Sequence, residues 1–520
     1  MDLKLQLVWF KRDLRITDHA PLLRAASQGP VLPLFVFEPG FWQSPDADVH
    51  HFQFAVESLH ELQQALSQLG GRLCVRTGEI TSVLQSLVDR FPIAAVHSHQ
   101  ETGNDWTYQR DRQVADWLRA RGIPWQEYRQ SGVIRKLSNR NGWAERWQSF
   151  MSAPIEPTPE RIQVPADIAS QQVPNPSALG LDPASLASTS VQRGGVSEAM
   201  RLLESFLKER GRAYRMAMSS PLSAEKACSR LSPYLAWGCI SVRQVYRAVR
   251  GEFQARDSSV NAAAAGDRHR MASLRSYQSR LSWHCHFMQK LEDEPRIEFE
   301  NMCRAYDGLR EEEFDDARFD RWCAGQTGYP MIDACMRSLH RTRWINFRMR
   351  AMLVSFASYH LWLHWRRPAV FLAKQFLDYE PGIHYPQMQM QSGVTGINTI
   401  RIYSPTKQAR DQDPDGHFIR KWVPELANVP APYVFEPWRM SLDDQERYGC
   451  RLDREYPRPI VEHEQAVREA KQRIYDIRAT EAARLEADKV VLKHASRKRR
   501  DPMPKKRAES QTPFFPGWED

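Results

Sequence analysis

No two of the eight cysteines stand in a Cys-x-x-Cys pair, so the chain carries no signature of a zinc or iron–sulfur centre, and free thiols in a reducing compartment are expected. It has no apolar run of membrane length, and Met1-Asp2-Leu3-Lys4 opens it without an apolar signal region; a soluble, cytoplasmic protein with no membrane partner is the expectation. No Gly-x-Gly-x-x-Gly follows the first strand-like run. Lys11-Arg12-Asp13-Leu14-Arg15 stands there instead, which argues against a dinucleotide site at that turn. Acidic residues are the minority: 72 Lys and Arg against 63 Asp and Glu leave a net charge of +9, which favours a polyanion such as nucleic acid, although part of that charge sits in one C-terminal run. What the chain does have is length and aromatics. At 520 residues it exceeds one ordinary domain, its 42% hydrophobic content suffices for packed cores, and 16 Trp offer faces for packing, for stacking on flat ligands and for carrying electrons.

Strand and helix signals alternate in the first part. Leu5–Phe10, Val31–Phe37, Leu73–Val75, Ala94–His97 and Trp125–Tyr128 read as strands, with helical patterns over Phe52–Leu69, Ile80–Phe91 and Tyr108–Arg121. That alternation predicts an α/β domain over 1–150, built on a doubly wound parallel sheet covered on both faces. Seven prolines between Pro154 and Pro183 break any long helix and mark a linker over 151–195. Beyond Gly194-Gly195 the pattern is almost wholly helical, which predicts a larger all-α domain over 196–485. Arg497-Lys498-Arg499-Arg500 and Lys505-Lys506-Arg507 belong to a basic tail, 486–520, expected to be disordered. A monomer is expected.

Three blocks carry chemistry. Arg343-Trp344-Ile345-Asn346-Phe347-Arg348-Met349-Arg350, Leu377-Asp378-Tyr379-Glu380 and Gly416–Leu426 put an arginine, two carboxylates and large apolar groups on neighbouring helices, an arrangement that can hold a flat, polar-edged, redox-active ring. In Ser229–Gly238, Ser232-Pro233 predicts an N-cap hydroxyl before a proline at the first helical position, whose free N–H groups suit a phosphate or pyrophosphate. Thr327-Gly328-Tyr329-Pro330-Met331-Ile332-Asp333 marks another helix start. Two histidine clusters carry less. His284 and His286 point to different faces of a helix and cannot easily share an ion, so packing is expected and no metal site; His50-His51 reads as the polar start of a helix.

Together with Val8-Trp9-Phe10-Lys11-Arg12-Asp13-Leu14-Arg15 and Asp18 near the start, these blocks follow the order found in the photolyase/cryptochrome family, which the chain resembles over roughly residues 5 to 480. The resemblance implies an α/β antenna domain, a helical domain binding a U-shaped FAD, blue-light chemistry, and UV-damaged DNA as partner, held largely through phosphate contacts. A second chromophore (a folate, a deazaflavin or a flavin) is a further implication, and Glu101, Asn104 and Asp105 lie near the region that some relatives use for it. Residue by residue, Ser229, Leu231 and Ser232 match the pyrophosphate segment. Cys228 replaces a frequent threonine, and Tyr214 matches a tyrosine near the phosphates. Arg350 and Asp378 match an ion pair beside the isoalloxazine, where positive charge stabilises reduced, anionic flavin. Glu380 replaces an aspartate near the ring edge, and His384 stands where an asparagine faces flavin N5, so that its titration could gate flavin protonation. Phe347 and Arg280 complete the cofactor set.

The departures fall on electron transfer and on the lesion pocket. Met388 falls on the tryptophan that many members place next to the flavin; a thioether oxidises far less readily than an indole. Trp365 matches the second tryptophan of that chain, and Trp362 and Trp344 are the other aromatic candidates. In the lesion pocket Trp283 matches a tryptophan that stacks on a pyrimidine dimer, whereas Arg280 replaces a carboxylate, and Ala351 and Met390 replace a methionine and a tryptophan. The histidine pair of (6-4) photolyases would fall at Phe347 and Ala351. The leading expectation is a DNA photolyase acting by electron transfer from reduced flavin. The alternatives are a cryptochrome-type photoreceptor, and a binding protein that keeps the fold and has lost photochemistry.

Overall fold

Five short runs of apolar residues pair into one all-parallel sheet ordered β3-β2-β1-β4-β5. The strands are β1 (Leu5–Phe10), β2 (Val31–Phe37), β3 (Cys74–Thr77), β4 (Ile93–His99) and β5 (Trp125–Tyr128). The structure, a computed structural model, describes residues 4–165, 168–257 and 265–495. The period of two along β1 sends Leu5, Leu7 and Trp9 to one face, with Leu84 and Val114, and Val8 and Phe10 to the other, with Leu59 and Leu62. Both faces are covered by crossover helices: α1 (Ala20–Ala26), α2 (Val49–Gln68), α3 (Ile80–Val88) and α4 (Asp105–Ala120). In α2, Phe52, Ala55, Leu59, Leu62 and Leu66 are buried at helical spacing, the stripe that turns this segment onto the sheet. Burying each large apolar side chain contributes roughly 1.5–3 kcal/mol.

In a parallel sheet with this order the direction of winding reverses between β1 and β4, and the crevice beyond their C-terminal ends is the usual ligand position. Here a buried polar cluster borders it, beside a small cavity lined by Arg12, Arg15 and Glu101. Asp13 Oδ2 accepts from His19 Nε2 (3.0 Å) and His99 Nδ1 (2.7 Å), and its Oδ1 accepts from the Lys11 N–H. The same turn reaches the helical part of the chain. Arg12 donates to the carbonyls of Ala236 and Tyr379, Arg15 donates to that of Gly238, and Asp18 accepts from Ser241 Oγ and Arg243 Nε.

Residues 153–165 and 168–195 are irregular apart from two short 3-10 turns, but they pack closely. Ile162, Leu179 and Leu181 are buried, and Gln171 and Ser170 bond to Val75 and Thr77, which covers the edge at β3. From Val196 on, every element longer than one turn is a helix. Those that build the site are α5 (Ser232–Ala236), α6 (Ala265–Asp293), α7 (Phe347–Ser355) and α8 (Pro381–Ser392). One apolar core is shared by the sheet and the helices, with Phe54 against Tyr234 and Trp42 stacked on Trp237 at 6.0 Å. Two helices close the described chain, α9 (His463–Ala479) and α10 (Glu481–His494). The stretch from 486 to 494, expected to be disordered, is therefore helical: Val490 is buried and His494 bonds to Glu294. The basic runs from Arg497 on lie outside the described residues. Among the described residues no helix is long and apolar enough to cross a membrane.

His50 and His51, expected to be no more than the polar start of a helix, are buried. His51 Nε2 donates to the Phe376 carbonyl at 2.9 Å and so ties α2 to the segment before Asp378.

Candidate functional site

One face of α6 repeats at helical spacing (Ala272, Arg275, Ser276, Ser279, Arg280, Trp283, Phe287) and forms a wall of a cavity of about 800 Å³. The opposite wall comes from Trp344–Arg348, Arg350 and Asp378, and the end from Tyr214, Met218, Cys228 and Ser232. Tyr214, Cys228, Ser232, Arg280, Trp283, Phe347, Arg350 and Asp378 are thus brought together although they span 165 residues, from 214 to 378. The volume is within the range of roughly 300–1,000 Å³ usual for cofactor and small-molecule sites.

Arg350 and Asp378 line this cavity as an ion pair. Arg350 Nη2 donates to Asp378 Oδ2 at 2.8 Å, its Nε donates to the Ile345 carbonyl, and its guanidinium lies 4.1 Å from the centre of the Phe376 ring. Burial alone would raise the Asp378 pKa, but the Arg350 charge and hydrogen bonds from Arg350 and Ser232 outweigh it and hold the carboxyl below its ordinary value. That bond corrects the expected role of Ser232. Leu231 is the N-cap and Ser232 the first residue of α5, so no hydroxyl caps this five-residue helix, and the Ser232 side chain serves Asp378 instead. Ser229 Oγ accepts from the Leu231 N–H, and Leu231 itself is wholly buried in the shared core. Burial pushes the Cys228 thiol up to about 12.

Sequence reasoning missed two polar residues that the geometry singles out. Asn346 donates from Nδ2 to the carbonyls of Met218 (3.0 Å) and Ser219 (2.7 Å), and Gln387 lies on α8. Asn346 Oδ1, Gln387 Oε1 and Asp378 Oδ1 are all buried acceptors without a protein partner, and all three residues line the cavity. Buried acceptors of this kind need donors. A ligand with ring N–H, ribityl hydroxyl and amino groups supplies them, and arginines 215, 275, 280, 348 and 350 around the same cavity against the single Asp378 suit its pyrophosphate. These residues fit FAD. The stripe on α6 was a usable signal for Arg275, Ser276 and Ser279; for Asn346 and Gln387 there was none.

The remaining site residues lie in a second layer. Glu380, His384 and Met388 line a neighbouring cavity of about 70 Å³ that shares Phe347, Arg350, Asp378, Ile383 and Gln387 with the large one. Burial raises Glu380 to about 7. His384 Nε2 donates to the Ala369 carbonyl at 2.8 Å, and burial lowers the imidazole to about 4. Trp365 is wholly buried and donates from Nε1 to Asn301, while Trp362 lies between Arg310 and Arg473 at 4.4 and 4.8 Å; neither lines these two cavities. Met390 is half-buried on α8 and lines neither cavity, so it is not brought to the site.

His284 lines the large cavity, His286 packs edge-on against Trp143 and Trp283, and Cys285 is buried between them. Among the described residues the ligand atoms that converge in a metal-like way belong to Asp13, His19 and His99. These are buried and bonded to one another, and burial lowers His99 to about 3.

Between the sheet and α8 are two small cavities, of about 40 and 20 Å³. Glu101 and Asn104, near the expected antenna region, are committed to protein partners there, Glu101 to Arg110 and Asn104 to Asp46, and the Asp105 N–H donates to Glu298.

Comparison with known proteins gives concordant matches. Residues 6–139 match the family model described as DNA photolyase, and residues 277–476 match the FAD binding domain of DNA photolyase. A cryptochrome DASH of Gloeobacter violaceus is 28% identical over 490 residues, covering 89% of this chain and 94% of that one. A deoxyribodipyrimidine photo-lyase of Alkalihalophilus pseudofirmus is 27% identical over 478 residues, 88% and 95% of the two chains. In fold, the chain is similar to a class III photolyase of Agrobacterium tumefaciens, with a TM-score of 0.77, 24% identity, and 92% and 99% coverage.

Proposed function

The chain belongs to the photolyase/cryptochrome family and contains that family's FAD-binding domain, and on that premise we propose that it is a light-dependent flavoprotein that repairs UV-induced pyrimidine lesions in DNA. The carrying observation is the single cavity in which the Arg350–Asp378 pair, Trp283 and a ring of arginines face one another. Bound FAD supplies the light-driven electron.

The chain's own residues do the rest. Arg350, fixed by Asp378 and the Ile345 carbonyl, would hold positive charge beside a bound flavin, which would favour its reduced, anionic form. Asn346, Gln387 and Asp378 orient the cofactor through their free acceptor atoms. Arg215 and Arg275 are exposed at the cavity and meet phosphates; binding through such contacts weakens with salt. Trp283, half-buried, offers a face on which an extruded lesion can stack. Extrusion costs a few kcal/mol and least for a damaged base.

A cryptochrome-type photoreceptor is the second reading, supported by Arg280 in place of a carboxylate, by Ala351, and by Met390 lying outside the cavity. Cryptochromes DASH are among the relatives in the same identity range as the photolyases. The deciding experiment is repair of defined lesions under blue light: cyclobutane dimers and (6-4) products, in single- and double-stranded DNA. Light-dependent restoration of either supports the first reading. FAD-loaded protein that restores neither refutes it and supports the second.

A further inference from the structure

Tyr379 follows Asp378 directly, and its side chain turns from the small cavity beside the flavin site toward the sheet. It lines that cavity together with Arg350, His384 and Met388, and also the 20 Å³ cavity on the sheet side. Its hydroxyl donates to Asp46 Oδ2. The neighbouring Tyr385 hydroxyl is 3.3 Å from that of Tyr379 and 3.4 Å from the same carboxylate oxygen. All three side chains are buried. Asp46 is aimed by further bonds, from Ser44 Oγ at 2.8 Å and Asn104 Nδ2 at 3.0 Å, and Asn104 is itself fixed as the cap of α4. Tyr379 is held too: its carbonyl accepts from Arg12 at 2.7 Å and its ring stacks 6.1 Å from His51. From Tyr379 the aromatic contacts continue to Tyr385 (6.3 Å) and on to Trp365 (6.5 Å).

We propose that Tyr379 is an electron donor to the photoexcited oxidised flavin of this chain, with Asp46 as the acceptor of its phenolic proton. The inference rests on the FAD reading above. A tyrosine loses its electron readily only if its proton leaves as well, and a buried phenol has no water to receive it. Asp46 meets that need at hydrogen-bond distance. Burial would raise its pKa, but bonds from Tyr379, Asn104 and Ser44 outweigh this and keep it below the ordinary value, an ionised acceptor in the resting state. One electron passes from the Tyr379 ring to the flavin, and the proton moves from Tyr379 Oη to Asp46 Oδ2, turning the carboxylate into a carboxylic acid; no heavy-atom bond is made or broken. Tyr385 and Trp365 extend the path; an external thiolate returns the electron and becomes a thiyl radical, two of which join as a disulfide, while the proton moves back from Asp46 to Tyr379. A tyrosine–carboxylate pair of this kind can take over a task for which a thioether at 388 is unsuited.

The test uses the FAD-loaded full chain with the flavin oxidised, under blue light with an external thiol. Illumination followed by freezing should trap a neutral tyrosyl radical, seen by electron paramagnetic resonance, that changes on ring-deuteration of tyrosine and is absent in Tyr379→Phe. Asp46→Asn keeps an acceptor oxygen but cannot take the proton. Both variants should photoreduce more slowly, on the order of 10²-fold, the scale of losing a positioned proton acceptor. Deuterated solvent should slow the wild type and leave the residual rate of Tyr379→Phe unchanged. Because the wild-type radical signal and solvent effect need no variant, poor folding of a variant does not rescue the idea. An indole radical alone, or wild-type rates in both variants with no solvent effect, overturns the proposal and leaves the FAD reading intact; a chain that takes up no FAD overturns both.

Discussion

Arg350→Ala is the perturbation whose size the structure lets one work out. It removes the partner of a carboxylate whose side chain is only 5% exposed, while Arg350 itself is 20% exposed. What happens to Asp378 can be read from its neighbour. Glu380 is buried in the same wall without a bonded cation, and burial takes it to about 7. Without the Arg350 charge, burial drives the Asp378 carboxyl upward, and the loss is on the scale of the roughly 3–5 kcal/mol typical of breaking a buried pair. The Ser232 bond survives and trims the figure. The sign of the pH dependence follows. In the variant the folded-state pKa lies above the unfolded one, so the folded state takes up a proton first as the pH falls from about 7 toward 4, and the deficit relative to wild type shrinks over that window. The assay is denaturant unfolding of both proteins at pH 7 and pH 5, with FAD affinity measured alongside. Replacing both partners, Arg350→Met with Asp378→Asn, should recover most of the loss. A deficit below about 1 kcal/mol that does not change with pH, with unaltered FAD affinity, refutes the picture of a buried, paired charge.

Acid should destabilise the wild type as well. His97, His284 and His384 are lowered by burial to about 4 and His360 to about 3, all from an unfolded value near 6.5, so stability present above pH 6.5 is lost as the pH falls toward 4; a melting temperature flat between pH 7 and 5 would contradict this. Met388→Trp should accelerate flavin photoreduction, because it puts an indole beside the small cavity with Arg350 and Asp378, at an overpacking cost of about 1–3 kcal/mol. The comparison with Trp365→Phe, after a check of FAD content, separates a path through the buried tryptophan from one that avoids it. Truncation after Ala495, which spares the buried His494, should weaken non-specific DNA binding and flatten its salt dependence while FAD stays bound; unchanged DNA affinity would show that the runs at Arg497–Arg500 and Lys505–Arg507 make no phosphate contacts.

The fold was readable because its signals are local. β1 and β2 have the bounds that their apolar runs predict, and α2, α3 and α4 start within three residues of the expected positions, whereas α1 was not expected. Where reading failed, a partner from elsewhere in the chain had changed the local rule. Ser232-Pro233 has the composition of a capped helix start, yet a carboxylate 146 residues later takes the hydroxyl. His50-His51 looks like a polar helix start, yet the Phe376 carbonyl buries one ring. Residues 486–494 have the composition of a tail, yet Glu294 holds the last turn of α10 through His494.

The same reasoning explains what could be read of the site. Arg350, Asp378 and Trp283 come from blocks whose order and spacing are visible in one dimension, and the cavity brings these three together. Met388 could be seen as a departure for the same reason, since it is a single position in a recognisable block. What compensates for it could not be seen. Tyr379 and Asp46 are 333 residues apart, one on the segment leading into α8 and the other on the sheet side, and neither stands out in sequence: a tyrosine beside a site aspartate, and an aspartate in a connecting segment. Their pairing depends on the angle at which the helical part docks on the C-terminal ends of β1 and β4. Arg12, Arg15, Asp18 and His51 set that angle through bonds across the junction. In a doubly wound fold the crevice at those strand ends usually receives a ligand. Here a buried polar network of the chain's own borders it, and Tyr379 lines both the 20 Å³ cavity on the sheet side and the small cavity beside the flavin site. A crevice that would otherwise only bind is thereby placed next to the redox centre, where it can accept a proton.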